Sequence, residues 1–271
     1  MDVWGLVLLC SVASLPSNCP PSCDCRDGDI HCGCASPPIS TLELSSLGEH
    51  SVSSLAVYSC ERVVVKEGAF SRVAVSKKLS FINIAQLQIE PNAFRNLQQG
   101  PRTFEIRNCS LGDVPPYAFT GLADLDNIWI RESSIGSMAA NAFAHVSNVD
   151  YLYIHMVNVG ILRSNAFSKM HGVKHLFIRQ SVKIASAHSS IFAGSSVDEI
   201  VMDDVDGAFR SICFLFVGFD LLFSLAYVVV APLWHSDGDG LILLVPVGVS
   251  TAMGEPFPSL IRPSFVLWHM G

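Results

Sequence analysis

Cys19, Cys23, Cys25 and Cys32 stand at C-x3-C-x-C-x6-C, four cysteines in fourteen residues. Thiols this close either pair as disulfides or hold zinc, with His31 adjacent as a further donor. They cannot build a core, and their spacing leaves three pairings open. The apolar run from Val3 to Val12, followed by small residues, reads as a secretory signal over 1–18, although Asp2 precedes it and no basic residue does. The bland alternative is a short buried helix. Secretion puts the cysteines in an oxidising compartment and favours disulfides over zinc. Other candidates for chemistry are weaker. His171 and His175 have i,i+4 spacing, but His171 falls in a turn and His175 at a strand start, so they share no helix face. Asp203-Asp204 is a turn-like acidic pair. No spacing matches a catalytic triad or a metal motif, so the expectation is a non-enzyme without cofactor or metal. Asn108-Cys109-Ser110 is the one N-x-S/T sequon, glycosylated if the chain is secreted and Asn108 is not crowded.

The elements that must position these residues recur. Phe stands at 70, 94, 119, 143, 167 and 192, with gaps of 24, 25, 24, 24 and 25 residues. Ala precedes the first five and Ile the last. Fifteen and thirteen residues before Phe stand Leu55/Val57, Leu79/Phe81, Phe104/Ile106, Ile128/Ile130 and Leu152/Ile154, with Leu176/Ile178 shifted by one. Val65, Ile89, Val114, Met138 and Leu162 stand five before it, and Leu111, Ile135 and Val159 eight before it. The unit is L-x-L-x-x-(N/C)-x-L-x-x-L-x-x-x-A-F. One such unit cannot bury its apolar face; a stack of them can, with strands about 4.8 Å apart in a parallel sheet.

This pattern is similar to a leucine-rich repeat of about 24 residues, and the chain from 19 to about 205 resembles the extracellular leucine-rich-repeat proteins with a cysteine-rich N-terminal cap. In gross outline it also resembles glycoprotein hormone receptor ectodomains, without a seven-helix domain. The resemblance implies an α/β solenoid: a horseshoe with a parallel concave sheet and a disulfide cap at the N-terminus; the register fails after Phe192, and the expectation is that no cysteine-rich cap closes the C-terminal end. It implies the pairs Cys19–Cys25 and Cys23–Cys32, leaving Cys34 outside the pattern. The Asn that ladders the turn in that family is replaced by Cys60, Ile84, Cys109, Ser133 and Val157. Ile and Val cannot bond the backbone, so the ladder is incomplete. Cys60 and Cys109 are expected as buried structural thiols.

Strand alternation puts a second set of residues outward. Between the anchors stand Ala56, Ser80, Glu105, Trp129, Tyr153 and Phe177. Beside them run Tyr58, Ile82, Arg107, Arg131, His155 and Arg179, and on the other side Ser54, Lys78, Thr103, Asn127, Tyr151 and His175. Three successive aromatics beside Arg-Arg-His-Arg suggest a partner-binding face made of Glu105, Arg107, Trp129, Arg131, Tyr153, His155, Phe177 and Arg179. Like charges at strand spacing repel, and an acidic partner would relieve them. Cross-strand aromatic pairs also stabilise sheets without any ligand. Replacing Trp129 and Arg131 by Ala would separate the two readings.

The charge of −7 argues against a nucleic-acid partner. Residues 211–271 carry Arg262 and no Lys. The organisation expected is a signal (1–18), a cap (19–34), about six repeats (35–210), a possible transmembrane segment (211–234) and an irregular tail (235–271). Asp220 and the order of flanking charges oppose a membrane span. The functional expectation is a secreted or cell-surface protein that binds a protein ligand or receptor. The competing readings are a structural or adhesion component of the matrix, and a truncated isoform with a non-native tail.

Overall fold

The computed structural model describes residues 19, 22–34, 41–44, 50–97, 100–188, 190–207, 227–230 and 243–246. The proposed signal, most of the possible span and most of the tail lie outside them.

The described chain is a parallel β-solenoid. The strands are β1 (Cys23–Arg26), β2 (Asp29–Gly33), β3 (Thr41–Leu44), β4 (His50–Val65), β5 (Val73–Ile89), β6 (Thr103–Val114), β7 (Ala123–Arg131), β8 (Ser134–Met138), β9 (Ser147–His155), β10 (Asn158–Leu162), β11 (His171–Ala187), β12 (Val197–Gly207), β13 (Tyr227–Val230) and β14 (Leu243–Pro246). The main sheet runs β1-β2-β4-β5-β6-β7-β9-β11-β12-β13-β14. A second face is made by β3 on β4, and by β8 and β10 between the far ends of β6 and β11.

The anchors set the register. Leu55, Leu79, Phe104, Ile128, Leu152, Leu176 and Ile200 lie opposite one another in succession, as do Val57, Phe81, Ile106, Ile130, Ile154, Ile178 and Met202. All are buried. A one-residue slip would turn every anchor to solvent, so apolar burial itself specifies the pairing. Behind the sheet the six Phe rings form a spine. Successive centroids lie 5.6, 6.4, 4.4, 4.8 and 5.4 Å apart. Burying each ring contributes about 2–3 kcal/mol before entropy is counted.

The α/β character expected of the repeat is not seen: no helix occurs among the described residues. The reason lies in the return arms. Their backbone groups alternate between single tight turns within the arm, such as Ala93 N–H to Glu90 O (3.2 Å), and bonds to the next repeat: Asn92 N–H to Tyr117 O (2.9 Å), Tyr117 N–H to Asn141 O (2.9 Å) and Asn141 N–H to Asn165 O (2.8 Å). A helix would need those donors internally. Asn92, Tyr117, Asn141, Asn165 and Ser190 also take positive φ, which breaks any helical run.

The cap joins the same register. β2 pairs in parallel with β4, placing Ile30 opposite Leu55 and Cys32 opposite Val57. The disulfides are Cys19–Cys25, Cys23–Cys32 and Cys34–Cys60. The first two are the pairs that the resemblance implies. The third corrects the expectation that Cys60 is a free thiol. Gly33 lies opposite Tyr58, so Cys34 reaches the turn that holds Cys60.

Candidate aromatic face of the sheet

The outward column forms as the alternation requires. Ala56, Ser80, Glu105, Trp129, Tyr153 and Phe177 occupy consecutive register positions on β4, β5, β6, β7, β9 and β11. Parallel strands bring their rings within stacking range. Trp129 and Tyr153 have centroids 5.1 Å apart, tilted by 49°, and Tyr153 and Phe177 are also 5.1 Å apart, at 27°. The adjoining column adds Tyr151 and His175, 4.9 Å apart at 15°. Tyr151 packs on Tyr153 at 5.8 Å, and His175 on Phe177 at 5.8 Å. Tyr151 is exposed; the other four are half-buried. Stacking along the sheet axis makes one block of these rings, with Trp129 tilted at its end.

The arginines extend this pattern. Arg131 Cζ lies 5.1 Å from the Trp129 ring, and Arg179 Cζ lies 4.3 Å from the Phe177 ring and 6.0 Å from Tyr153. Cation–π contact holds both guanidinium groups against the aromatic block. Arg107 is half-buried one strand before Arg131, and His155, between Arg131 and Arg179 in the same column, bonds Gln180. His175 Nδ1 is 2.7 Å from Glu199 Oε2. Trp129 carries a buried indole N–H without an acceptor, a cost of about 1–3 kcal/mol that the surrounding packing must offset.

Glu105 stands in the expected column but is covered, with 3% of its surface exposed. Lys78 Nζ reaches it at 2.5 Å, and Arg131 Nε donates to it at 2.8 Å. Burial alone would push this carboxyl up. The hydrogen bonds and charges of Lys78 and Arg131 outweigh burial and hold it below the ordinary Glu range. Glu105 thus neutralises, inside the chain, part of the positive column, and fixes Arg131 beside Trp129. Sequence alternation placed Glu105 correctly but gave no sign of this cover. Lys78 was the available signal, one register position away in the adjoining column.

The remaining candidates disperse. Asn108 is exposed at φ 51°, and its amide nitrogen donates to Asn83 Oδ1 at 2.9 Å. Cys109 is buried and its thiol is pushed up to about 11, mainly by desolvation, which leaves it without thiolate character at neutral pH. Its neighbour Ser133 partly restores the turn ladder: Cys109 N–H donates to Ser133 Oγ, which donates to Arg131 O. His171 and His175 both lie on β11, where the expected turn at His171 is strand. Among the described residues no three His, Cys, Asp or Glu side chains gather at metal-binding distance. Nor is any helix there long and apolar enough to cross a membrane.

Residues 87–215 match the BspA-type leucine-rich-repeat region, in six copies. Over that stretch the chain is similar to leucine-rich repeats of that type. The matched stretch includes every ring of the aromatic face and every one of its arginines. No curated protein matches the chain significantly.

Proposed function

We propose that this leucine-rich-repeat chain is a non-catalytic, secreted or cell-surface protein that binds another protein through the concave face of its sheet. One observation carries the reading: five rings from β7, β9 and β11 form a continuous, partly exposed block flanked by Arg131 and Arg179. Rigid aromatics give contact area at low entropic cost, and arginine adds directional contacts. Contiguous exposed apolar area of this kind marks interaction sites. The guanidinium groups of Arg131 and Arg179 beside the rings favour a partner with an acidic surface. The three disulfides are consistent with an extracellular setting.

The test uses the two contact residues whose loss disturbs the fold least. Tyr151 is exposed, and Arg179 rests on ring faces. Tyr151→Ala with Arg179→Ala is expected to weaken capture of an extracellular protein partner about tenfold or more, with thermal unfolding nearly unchanged. Capture by the intact chain should also weaken as salt is raised. Equal capture by variant and parent overturns the reading. Concentration-dependent self-association, lost in the same variant, would assign the face to assembly.

A further inference from the structure

The last repeat ends in apolar anchors. Ile200 and Met202 are buried, at 1% and 3% exposure, although β12 is the last strand that the Ala-Phe repeat accounts for. The structure shows what lies beside them. β13 pairs in parallel with β12, with Ile200 opposite Val228 and Met202 opposite Val230. The two anchor rows therefore continue one strand further, into a segment whose sequence shows no Phe-spaced repeat. β14 then pairs antiparallel with β13, from Tyr227 opposite Pro246 to Val230 opposite Leu243.

We propose that β13 and β14 close the C-terminal end of the stack as an antiparallel strand-pair cap, so that Tyr227–Val230, inside the apolar run 211–234, belongs to the solenoid rather than to a membrane span. Three features carry this. The first is register: β13 occupies the anchor rows, where a membrane segment would have no reason to keep them. The second is a match between the two ends. At the N-terminus β1 pairs antiparallel with β2, which joins the parallel stack; at the C-terminus β14 pairs antiparallel with β13, which joins it likewise. Reversing the final strand ends the parallel progression at both ends. The third is the outer edge itself. β14 has four residues and includes Pro246, which lacks an N–H. Short edge strands and edge prolines are how sheets resist adding further strands. The sequence between the strands, 231–242, contains His-Ser-Asp-Gly-Asp-Gly, whose composition suits a turn. Asp220 and the flanking charges, which oppose a membrane span, leave a cap unopposed.

The full chain provides the test. In hydrogen exchange, the amides of 227–230 should exchange at least about tenfold more slowly than in the urea-unfolded chain. The chain should come away from membranes in alkaline carbonate. Val228→Asp with Val230→Asp, which strikes the anchor rows, should produce concentration-dependent self-association in sedimentation velocity. Val229→Asp, on the alternate position, should leave sedimentation unchanged. Exchange at the unfolded rate, carbonate-resistant retention in the membrane pellet, or equal behaviour of the two variants overturns the proposal. The exchange measurement and the carbonate extraction need no variant, so together they decide even if the aspartate pair fails to fold.

Discussion

Glu105 shows how one residue converts a charged column into an ordered surface. Its carboxylate is buried while Lys78 and Arg131 reach water, with side-chain exposures of 43% and 27%. The partly exposed partners are screened, so the cost of losing the carboxylate is about 2 kcal/mol, below that of a fully buried pair. Glu105→Gln keeps the shape and removes the charge. Because the folded carboxyl is held below its unfolded value of about 4.3, its stabilising contribution is complete above that pH. It is lost as pH falls through the lower folded value. Urea denaturation of parent and variant should therefore differ by about 2 kcal/mol at pH 7 and converge as the pH falls below the ordinary Glu range. A gap that persists unchanged in acid would mean that Glu105 acts through packing rather than charge.

Among the repeating elements, the turns carry more of the architecture than their sequence suggests. Ser59, Asn83, Asn108, Glu132, Met156 and Gln180 occupy one position in successive repeats, all with φ between 51° and 60°. Only Asn tolerates that region readily among these types, so Glu132 and Met156 hold it because the strands on either side dictate it. This corner column, like the return arms that replace the expected helices, was not legible in the sequence, since neither Glu nor Met signals a left-handed turn. The anchors and the Phe spine were legible, because burial imposes apolar residues at fixed spacing. A second corner is legible only as glycine. On β10, a Cβ at Gly160 would lie 2.2 Å from Gly136 O, and one at Gly136 would lie 3.0 Å from Gly112 O. The second sheet face stacks backbone on backbone there. Gly160→Ala must push β10 from β8 and should cost about 2–3 kcal/mol by thermal or chemical denaturation. By contrast Gly112→Ala meets nothing within 4 Å and should be close to neutral.

For the whole molecule, a stack in which each repeat touches only its neighbours is stable in its middle and opens from its ends. The N-terminal end is secured covalently. Cys19–Cys25 and Cys23–Cys32 close loops within the cap, whereas Cys34–Cys60 ties the cap to the first repeat across 26 residues of sequence. Cys34 had no place in the four-cysteine pattern, because that pattern describes the cap by itself and the partner lies in a repeat turn. A loop of this length contributes about 3–4 kcal/mol by restricting the unfolded chain. That contribution belongs to the contact between cap and stack, so its loss should be local first. Replacing Cys34 and Cys60 by Ser should speed hydrogen exchange in β2, β3 and β4 while leaving β7 and β9 near their parent rates. The aromatic face sits on those later strands. Partner capture should therefore survive the loss of this disulfide at temperatures where the N-terminal repeat already opens. Equal acceleration along all strands would instead show that the stack unfolds as one unit, with the cap holding every repeat.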